Sequence, residues 1–335
     1  MAARRGQKIK LFYIVDILKK YSDEDHPLTA TEICDKLAAV GVTAERKAVY
    51  DDINQLMDYG FDIIKTHIPK SGFFLGSREF EIPEIYLLSD AVRAARFITP
   101  KKSRELISKL DSMLSVHQIK SRGNKIYFDS VGKTKNEEIF YNIDIISRAI
   151  ENNHKITFKH ITKSFGENKE IVTNIKERTI SPYALTWQDD YYYLIGNYDK
   201  YDNLIHFRVD RMKSVNETDS TARHFSEVSE YKDVFDIADY TNKLFGMFTG
   251  NTEEIVFRCN KSVLEQVTDR FSDEIFIRNV TDTHFDVTVN AVVSEAITTW
   301  IMNYVDKIEV ISPSHLRDMI TKRAENILSM YKDEK

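Results

Sequence analysis

The sequence has few cysteines and no long apolar run. Its two cysteines, Cys34 and Cys259, lie too far apart to form a metal or redox motif. A disulfide framework is therefore not expected, and a reducing compartment such as the cytoplasm is favoured. No stretch reaches the ~18 apolar residues that a membrane helix needs. The opening MAARRGQKIK lacks the apolar segment of a secretion signal, so we expect a cytoplasmic protein with no membrane contact.

The motifs of the common enzyme classes are also missing. The chain has eleven glycines, mostly in turns, and no phosphate-binding loop, G-x-S-x-G elbow, H-E-x-x-H helix or Cys/His cluster. We therefore expect no enzyme, no catalytic residue, no cofactor and no metal. Adjacent carboxylates occur at Asp51-Asp52 and Asp189-Asp190, but such pairs are usual on turns and helix surfaces. A metal-dependent nuclease built from scattered acids stays an open alternative.

The composition is that of a folded chain with several domains. With 335 residues, 42% hydrophobic and 30% charged, it is too long for one ordinary core. The net charge of -5 argues against nucleic-acid binding by bulk charge only, because recognition depends on where the cations lie. The patterns predict an α+β multidomain protein with four parts, namely residues 1–80, 81–152, 153–225 and 226–335.

Residues 1–80 are predicted to form three helices and a hairpin. The first helix runs from about Lys8 to Lys20, and the second opens with a T-x-x-E capping box at Thr29. Thr43 is predicted to cap the third helix, and Gly60 to end it. The buried face of that helix would be Val49, Ile53, Leu56 and Met57. Two short β-prone runs then flank a basic tip at Lys70-Ser71-Gly72, as in the wing of a DNA-binding domain.

The exposed side of the third helix carries the candidate DNA-reading residues. They are Arg46, Lys47, Tyr50 and Asn54, together with Thr43 just before the helix. Arg46 and Lys47 lie in the turn that reaches base edges and phosphates. Further phosphate contacts are predicted from a basic N-terminal arm and from the wing; these residues are Arg4, Arg5, Lys8, Lys10, Lys65, Lys70 and the amides around Gly72. The alternative is a small helical domain with ordinary solvated charges.

This segment has a family resemblance. ERKAVYDDINQLMDYGFDII, followed by SGFFL, resembles the recognition helix and wing of DeoR-type winged helix-turn-helix domains on bacterial repressors. In that family an arginine often precedes the D-I pair, whereas Asp51 stands there in this chain. One backbone contact of the family is thereby in doubt, and Asp51 is expected to orient Lys47 or Arg46 instead.

The rest of the chain changes its pattern twice. Residues 81–152 contain amphipathic stretches, predicted as a helical connector. Short β-branched and aromatic strands follow, which suggest a small barrel or a strongly curved sheet. From about Thr252 strands and helices are mixed, which predicts an α+β domain.

The strand region resembles the WYL domain, named for a Trp-Tyr-Leu triplet. SPYAL, YYYLIGNY and FRVDRM occur in the family's order, with Tyr192 in place of the tryptophan. The resemblance implies an Sm-like five-stranded β-barrel with a basic and aromatic patch that binds nucleic acid or a nucleotide-like effector. DRFSDEIFIRN and TWIMNYVDKIEVISPSHLRDMI resemble the extension that follows WYL domains and contributes to dimerisation. Whether Arg317 in that extension faces the ligand is left open.

The WYL-like segment also supplies the candidate ligand residues. Arg208 and Arg211 offer planar donor forks for phosphate or carboxylate, and His206 adds a donor that titrates near neutrality. Ser181, Tyr183 and Tyr193 add hydroxyls and stacking faces. The alternative for the arginines is an internal ion pair with Asp210 that only holds the domain together.

Together these features predict a dimeric transcription regulator, most simply a repressor. It would bind a palindromic operator in double-stranded DNA, and an anionic effector on its WYL domain would modulate that binding. The alternative is an RNA or single-stranded DNA binding protein that acts through the barrel. The resemblance leaves the regulated process open, and phage defence is one option.

Overall fold

The computed structural model describes the backbone of residues 2–122, 132–271, 275–304 and 306–332. It describes the side chains in these ranges except those of residues 2–8 and 122. The chain divides into two compact units, Met1–Glu137 and Glu138–Lys335.

The first unit begins with the predicted three helices and hairpin. They are α1 (Ala2–Tyr21), α2 (Ala30–Ala39), α3 (Arg46–Tyr59), and the antiparallel strands β1 (Ile63–Thr66) and β2 (Gly72–Leu75). Their apolar faces form one core, which includes Ile14, Leu18, Ile33, Leu37, Val49, Ile53 and Phe73. Met57 was expected in this core, but it is exposed.

The helix caps follow the sequence at α2 and depart from it at α3. The Thr29 hydroxyl accepts the Glu32 N–H, and the Glu32 carboxylate accepts the Thr29 N–H, so the capping box is confirmed. The prediction that Thr43 caps α3 is wrong, because Glu45 is the N-cap residue and makes no side-chain cap bond. Because α3 begins at Arg46, Thr43 lies two residues before the N-cap and is not at the position whose side chain accepts the first free N–H groups. Gly60 ends α3 in the left-handed conformation, with φ 112°.

The predicted N-terminal arm is part of α1. Because α1 begins at Ala2, the backbone of Arg4, Arg5 and Lys8 is helical, while their side chains lie outside the described residues. Lys10 is not available for phosphate, since its ammonium forms a 2.7 Å ion pair with Asp52 of α3. Both side chains are about a tenth exposed, so this pair joins the two helices inside the domain.

Three helices complete the first unit, α4 (Ile82–Ala94), α5 (Pro100–Asp111) and α6 (Val116–Arg122). The Lys133 ammonium donates to the carbonyls of Val92, Ala95 and Ile98 and to the Ser103 hydroxyl. It thereby neutralises the carbonyl end of α4, and burial lowers its pKa to about 8.

The second unit begins with α7 (Ile139–Glu151) and a five-stranded antiparallel sheet. The strands are β3 (His154–Phe165), β4 (Ile171–Gln188), β5 (Tyr191–Asn197), β6 (Ile205–Arg208) and β7 (Met212–Thr221), in the order β6-β5-β4-β3-β7. A 3₁₀ turn, Val209–Arg211, joins β6 to β7. In α7 the buried Asn142 amide donates to the Met212 carbonyl at 2.9 Å, which fixes the helix to β7.

The expected Sm-like barrel is not confirmed. A barrel requires its terminal strands to pair, and within the described ranges β6 and β7 are the two edges of an open sheet. The fold class is therefore α+β with several open sheets.

The chain ends in the predicted α+β domain. After the short helix α8 (Ile237–Asn242) come β8 (Thr252–Asn260), α9 (Leu264–Phe271), β9 (Phe276–Arg278), β10 (His284–Val292), α10 (Glu295–Met302), β11 (Ile308–Ser312) and α11 (Ser314–Tyr331). The strands form a sheet in the order β11-β8-β10-β9, and its core is centred on Phe257 and Trp300. Among the residues with assigned positions, no helix is both long and apolar enough to cross a bilayer.

Candidate nucleic-acid interface and anion site

The solvent side of α3 carries four of the predicted DNA-reading residues. Arg46, Lys47, Tyr50 and Asn54 are all exposed, while Val49, Ile53 and Leu56 on the other side are buried. Positions 46, 50 and 54 are four residues apart and therefore share one face of the helix. Neither Arg46 nor Lys47 forms an ion pair with any residue that the structure describes, so both cations are available to an external anion.

The hairpin residues have internal contacts as well. The Lys70 ammonium lies 2.7 Å from the Glu32 carboxylate at the start of α2, with both side chains almost half exposed. Gly72 is buried, and a Cβ there would lie 2.8 Å from the Leu28 carbonyl. Glycine at this position thus permits the close approach of β2 to Leu28, with which Phe73 exchanges two backbone hydrogen bonds. The Tyr50 ring meets Phe73 edge-on at 5.6 Å.

In the five-stranded sheet, the predicted ligand residue Arg208 is held internally. Its guanidinium makes two hydrogen bonds to the Asp210 carboxylate, at 3.1 and 2.9 Å. It also lies over the Tyr191 ring, 3.2 Å from the ring centre. The carboxylate and the ring together occupy the donor fork that the effector was predicted to use.

His206 and its neighbours lie under a covering segment, residues 222–248. One ring nitrogen of His206 is 2.7 Å from the Met247 carbonyl, and the other is 2.9 Å from the Tyr240 hydroxyl. Burial lowers the pKa of His206. Tyr193 packs against the same apolar cluster, which includes Leu244 and Met247.

Two further predicted ligand residues lie inside the unit. The Tyr183 ring packs against Phe225 and Phe235 of the covering segment, and burial raises its pKa to about 12. Ser181 is completely buried, and its hydroxyl accepts the Arg223 N–H at 2.9 Å. These contacts place both residues in the packing between sheet and covering segment.

The other face of the sheet carries an aromatic group centred on Phe207, which we call the Phe207 cluster. The rings of Phe158, His160 and Tyr198 lie 5.2, 5.0 and 6.0 Å from the Phe207 ring. Phe207 and Arg208 are consecutive in β6, so their side chains point to opposite faces. The cluster is therefore on the face opposite Arg208, where the Phe158 and Phe207 rings are buried.

Three basic side chains lie around the Phe207 cluster. Strand pairing sets Arg178 opposite Phe158 and Lys176 opposite His160, and paired residues share a face. The Arg178 guanidinium lies 5.5 Å from the Tyr198 ring centre. Arg211 is exposed and directly precedes Met212, which pairs with His160. Of the six predicted ligand residues, Arg211 alone joins this group.

The electrostatics of this group favour an anion. Burial and the charges of Arg178 and Arg211 lower the pKa of His160. Within the described chain neither arginine forms an ion pair, and the Arg178 Nε and the Tyr198 hydroxyl lack hydrogen-bond partners. Sequence reasoning missed His160, Lys176, Arg178 and Tyr198. Only the alternation of β3 and β4 would have indicated them, and it gives no register between the strands.

Arg317, whose role the sequence left open, is fixed within the C-terminal domain. Its guanidinium donates to the Val310 carbonyl at 2.5 Å and lies 3.5 Å from the Glu309 carboxylate. Both partners belong to β11, so these contacts connect α11 to the neighbouring strand.

Two stretches of the second unit match known domain families. Residues 141–217 match the WYL domain, and residues 251–328 match the WCX domain. The chain therefore contains a WYL domain, formed by α7 and the five-stranded sheet, followed by a WCX domain with the C-terminal sheet. The WYL resemblance is confirmed, whereas the DeoR type of the N-terminal domain stays a prediction.

One solved structure that resembles the chain is Proteasome accessory factor B/C (PafBC) of Arthrobacter aurescens. The two are 14% identical, and the match covers 97% of this chain and 49% of that chain. This chain thus spans about half the length of its structural relative. The TM-score is 0.28, too low to support any conclusion about fold or function. No curated protein matches the chain.

Proposed function

We propose that this WYL-domain protein is a non-catalytic, sequence-specific DNA-binding transcription regulator. Its α3 reads a palindromic operator as part of a homodimer. An anionic effector on the WYL domain changes the affinity for DNA, and repression is the simplest outcome. The observation that carries the proposal is the exposed face of α3, where Arg46 and Lys47 form no ion pair with the residues that the structure describes.

The support for α3 as the reading helix is its placement. Its apolar side forms the domain core, so its polar side faces solvent along the whole helix. Arginine binds guanine through two hydrogen bonds, and such a contact discriminates against the wrong base by about 1–3 kcal/mol. The antiparallel hairpin follows α3 directly, as the wing of such a domain does. Lys70 and Lys65 of the hairpin are the additional phosphate contacts.

Modulation by an effector requires a difference in affinity between two states of the protein. A tenfold change in DNA affinity corresponds to a coupling free energy of about 1.4 kcal/mol. This part of the proposal is supported by Arg178 and Arg211 of the WYL domain, which form no ion pair with any described carboxylate.

The proposal is tested by titrating the full chain with duplex DNA from upstream of its own gene at several salt concentrations. We expect specific binding in the nanomolar range that weakens steeply with salt. The double variant Arg46→Ala/Lys47→Ala should lose specific binding and give a shallower salt dependence. The matched control is Lys101→Ala/Lys109→Ala, which removes two exposed cations from α5.

Three results would contradict the proposal. The first is equal loss in both double variants, which would mean that only net charge matters. The second is retained specific binding in the Arg46/Lys47 variant. The third is sequence-independent duplex binding together with tighter binding of single strands or RNA, which would move the function to the WYL domain.

A further inference from the structure

We infer that the group formed by His160, Arg178 and Arg211 at the Phe207 cluster is a binding site for a doubly charged phosphoryl group. The regulatory role of this site rests on the proposed function, because the site would hold the effector that changes DNA affinity. Anion binding at the site does not itself require DNA. His160 and Arg178 lie on the opposite face of the sheet from His206 and Arg208, and Arg211 lies in the turn after β6.

The first argument is the absence of internal neutralisation. The other arginines of the WYL sheet region have carboxylates within reach: Arg208 has Asp210, and Arg223 has Asp202 and Glu227. Arg178 and Arg211 have none in the described part of the chain. Two cations near a histidine, with Lys176 on the same face, are unfavourable without an anion. A phosphoryl group removes this repulsion.

The second argument is the type of donor. Guanidinium groups present paired N–H donors that match two oxygens of a phosphoryl group. The neutral His160 ring adds one N–H donor and stays in place through its contacts with Phe158 and Phe207. The Tyr198 ring lies beneath Arg178 and limits the guanidinium to few orientations. A planar monocarboxylate would use one arginine, whereas a phosphoryl group has oxygens for both.

The third argument is the placement of acids. Glu177 precedes Arg178 in β4 and pairs with Lys159, so the alternation puts both on the other face. Asp210 is next to Arg211 in sequence, but both of its carboxylate oxygens accept hydrogen bonds from Arg208. The nearest acids in the sequence are thus directed away from the site or already engaged.

The test is calorimetric titration of the full chain with pyrophosphate, without DNA. We expect saturable binding of one pyrophosphate per chain. Arg178→Gln should weaken it by about tenfold or more, which corresponds to about 1.4 kcal/mol, and Arg211→Gln by a smaller factor. The matched control, Lys163→Gln, should change the affinity by less than twofold. Lys163 is exposed in β3, and its odd position puts it on the face opposite His160.

A second measurement protects the test against a misfolded variant. In the unsubstituted protein, pyrophosphate should shift the His160 ring proton resonances and raise the pKa of His160, because the anion offsets the charges of the two arginines. Absence of this shift and equal binding by the Arg178→Gln and Lys163→Gln variants would each overturn the inference.

A third arm identifies the source of the phosphoryl group. A 5′-phosphorylated thymidine tetranucleotide is compared with pyrophosphate in the same variants. If the oligonucleotide binds much more tightly than pyrophosphate and depends on Arg178 to the same extent, the ligand of this site is a nucleic acid. If the oligonucleotide binds equally or more weakly, the ligand is a phosphorylated small molecule. Specific duplex binding without pyrophosphate binding overturns this inference but not the proposed function. Pyrophosphate binding without specific duplex binding overturns the proposed function but not this inference.

Discussion

The two faces of the WYL sheet use their cations differently. On the face under the covering segment, Arg208 is bound to Asp210 and stacked on Tyr191, and His206 is bonded at both ring nitrogens. On the other face, Arg178 and Arg211 lie beside an aromatic cluster without a described carboxylate partner. Arginine thus has a structural role on one face of the sheet and is available to a ligand on the other. The difference arises from the partner, because a buried cation without a counter-charge is costly.

The N-terminal domain shows the same contrast at smaller scale. Lys10 is buried with Asp52 and joins α1 to α3, whereas Arg46 and Lys47 on the exposed side of α3 have no described partner. The basic arm predicted from composition therefore contains at least one cation that serves the fold. Burial and pairing together separate the cations of the interior from those that are available to an external anion.

The largest effect is expected from Asp210→Ala. Both side chains of the Arg208–Asp210 pair are mostly buried, so removing the acid leaves an uncompensated guanidinium and lowers the free energy of unfolding by about 3 kcal/mol. Urea unfolding monitored by circular dichroism measures this change. Asp219→Ala, at an exposed position in β7, is the control and should have little effect. If Asp210→Ala instead abolished pyrophosphate binding at unchanged stability, the ion pair would belong to the ligand site.

His206→Asn is expected to come next. At pH 7.5 it should cost about 2 kcal/mol, because the Met247 carbonyl and the Tyr240 hydroxyl lose a buried partner. Burial lowers the pKa of His206 in the folded state, so only the unfolded chain takes up its proton as the pH falls through 6.5. Stability should therefore decline between pH 7 and 5 more steeply in the unsubstituted protein than in the variant. Parallel pH profiles of the two proteins would show that His206 is not held in its neutral form.

A smaller effect concerns the anion site. Sulfate stays doubly charged between pH 7.5 and 5.5, so any pH dependence of its binding comes from the protein. The pKa of His160 is lowered in the free protein, and an anion between Arg178 and Arg211 raises it again. Sulfate affinity should therefore increase several-fold as the pH falls, because binding takes up a proton. His160→Gln should remove most of this increase, and an unchanged profile in that variant would place the titrating group elsewhere.

The smallest effect is expected from Lys70→Gln. The Lys70–Glu32 pair is almost half exposed, and such pairs contribute less than about 1 kcal/mol to stability. Lys70 can therefore leave Glu32 for a DNA phosphate, and the salt dependence of duplex binding should become shallower by about one unit of slope. If the slope of the salt dependence did not change, the exposed ion pair with Glu32 would be enough to keep Lys70 from contacting DNA.

The sequence predicts local features better than long-range ones. The capping box at Thr29 and the left-handed stop at Gly60 depend on neighbours within four residues, and both are confirmed. Thr43 fails as a cap because α3 begins at Arg46, two residues later than the cap pattern predicts. The succession of the WYL strands along the chain follows from their short β-branched runs and from the family motifs. Closure into a barrel depends on pairing between distant strands, which no local pattern encodes.

The candidate site shows the same limit. Arg208 and Arg211 are equally conspicuous in FRVDRM, yet the 3₁₀ turn Val209–Arg211 sends them to different surroundings. Arg178 lies in an unremarkable strand, and its place beside Tyr198 depends on the register of β4 against β3 and on the course of the chain after β5. A single sequence shows which residues are able to bind an anion. Which of them are already neutralised depends on tertiary contacts.

The bond from Asn142 to the Met212 carbonyl has a mechanical consequence. Met212 follows Arg211 directly, so one hydrogen bond couples the backbone of the anion site to α7. Any displacement of the 3₁₀ turn on ligand binding must break this buried bond or carry α7 with it. Because α7 is the first helix of the second unit, its movement would pull on the peptide that enters from residue 137. The residue next to Arg211 is thus hydrogen-bonded to the helix at which the second unit begins.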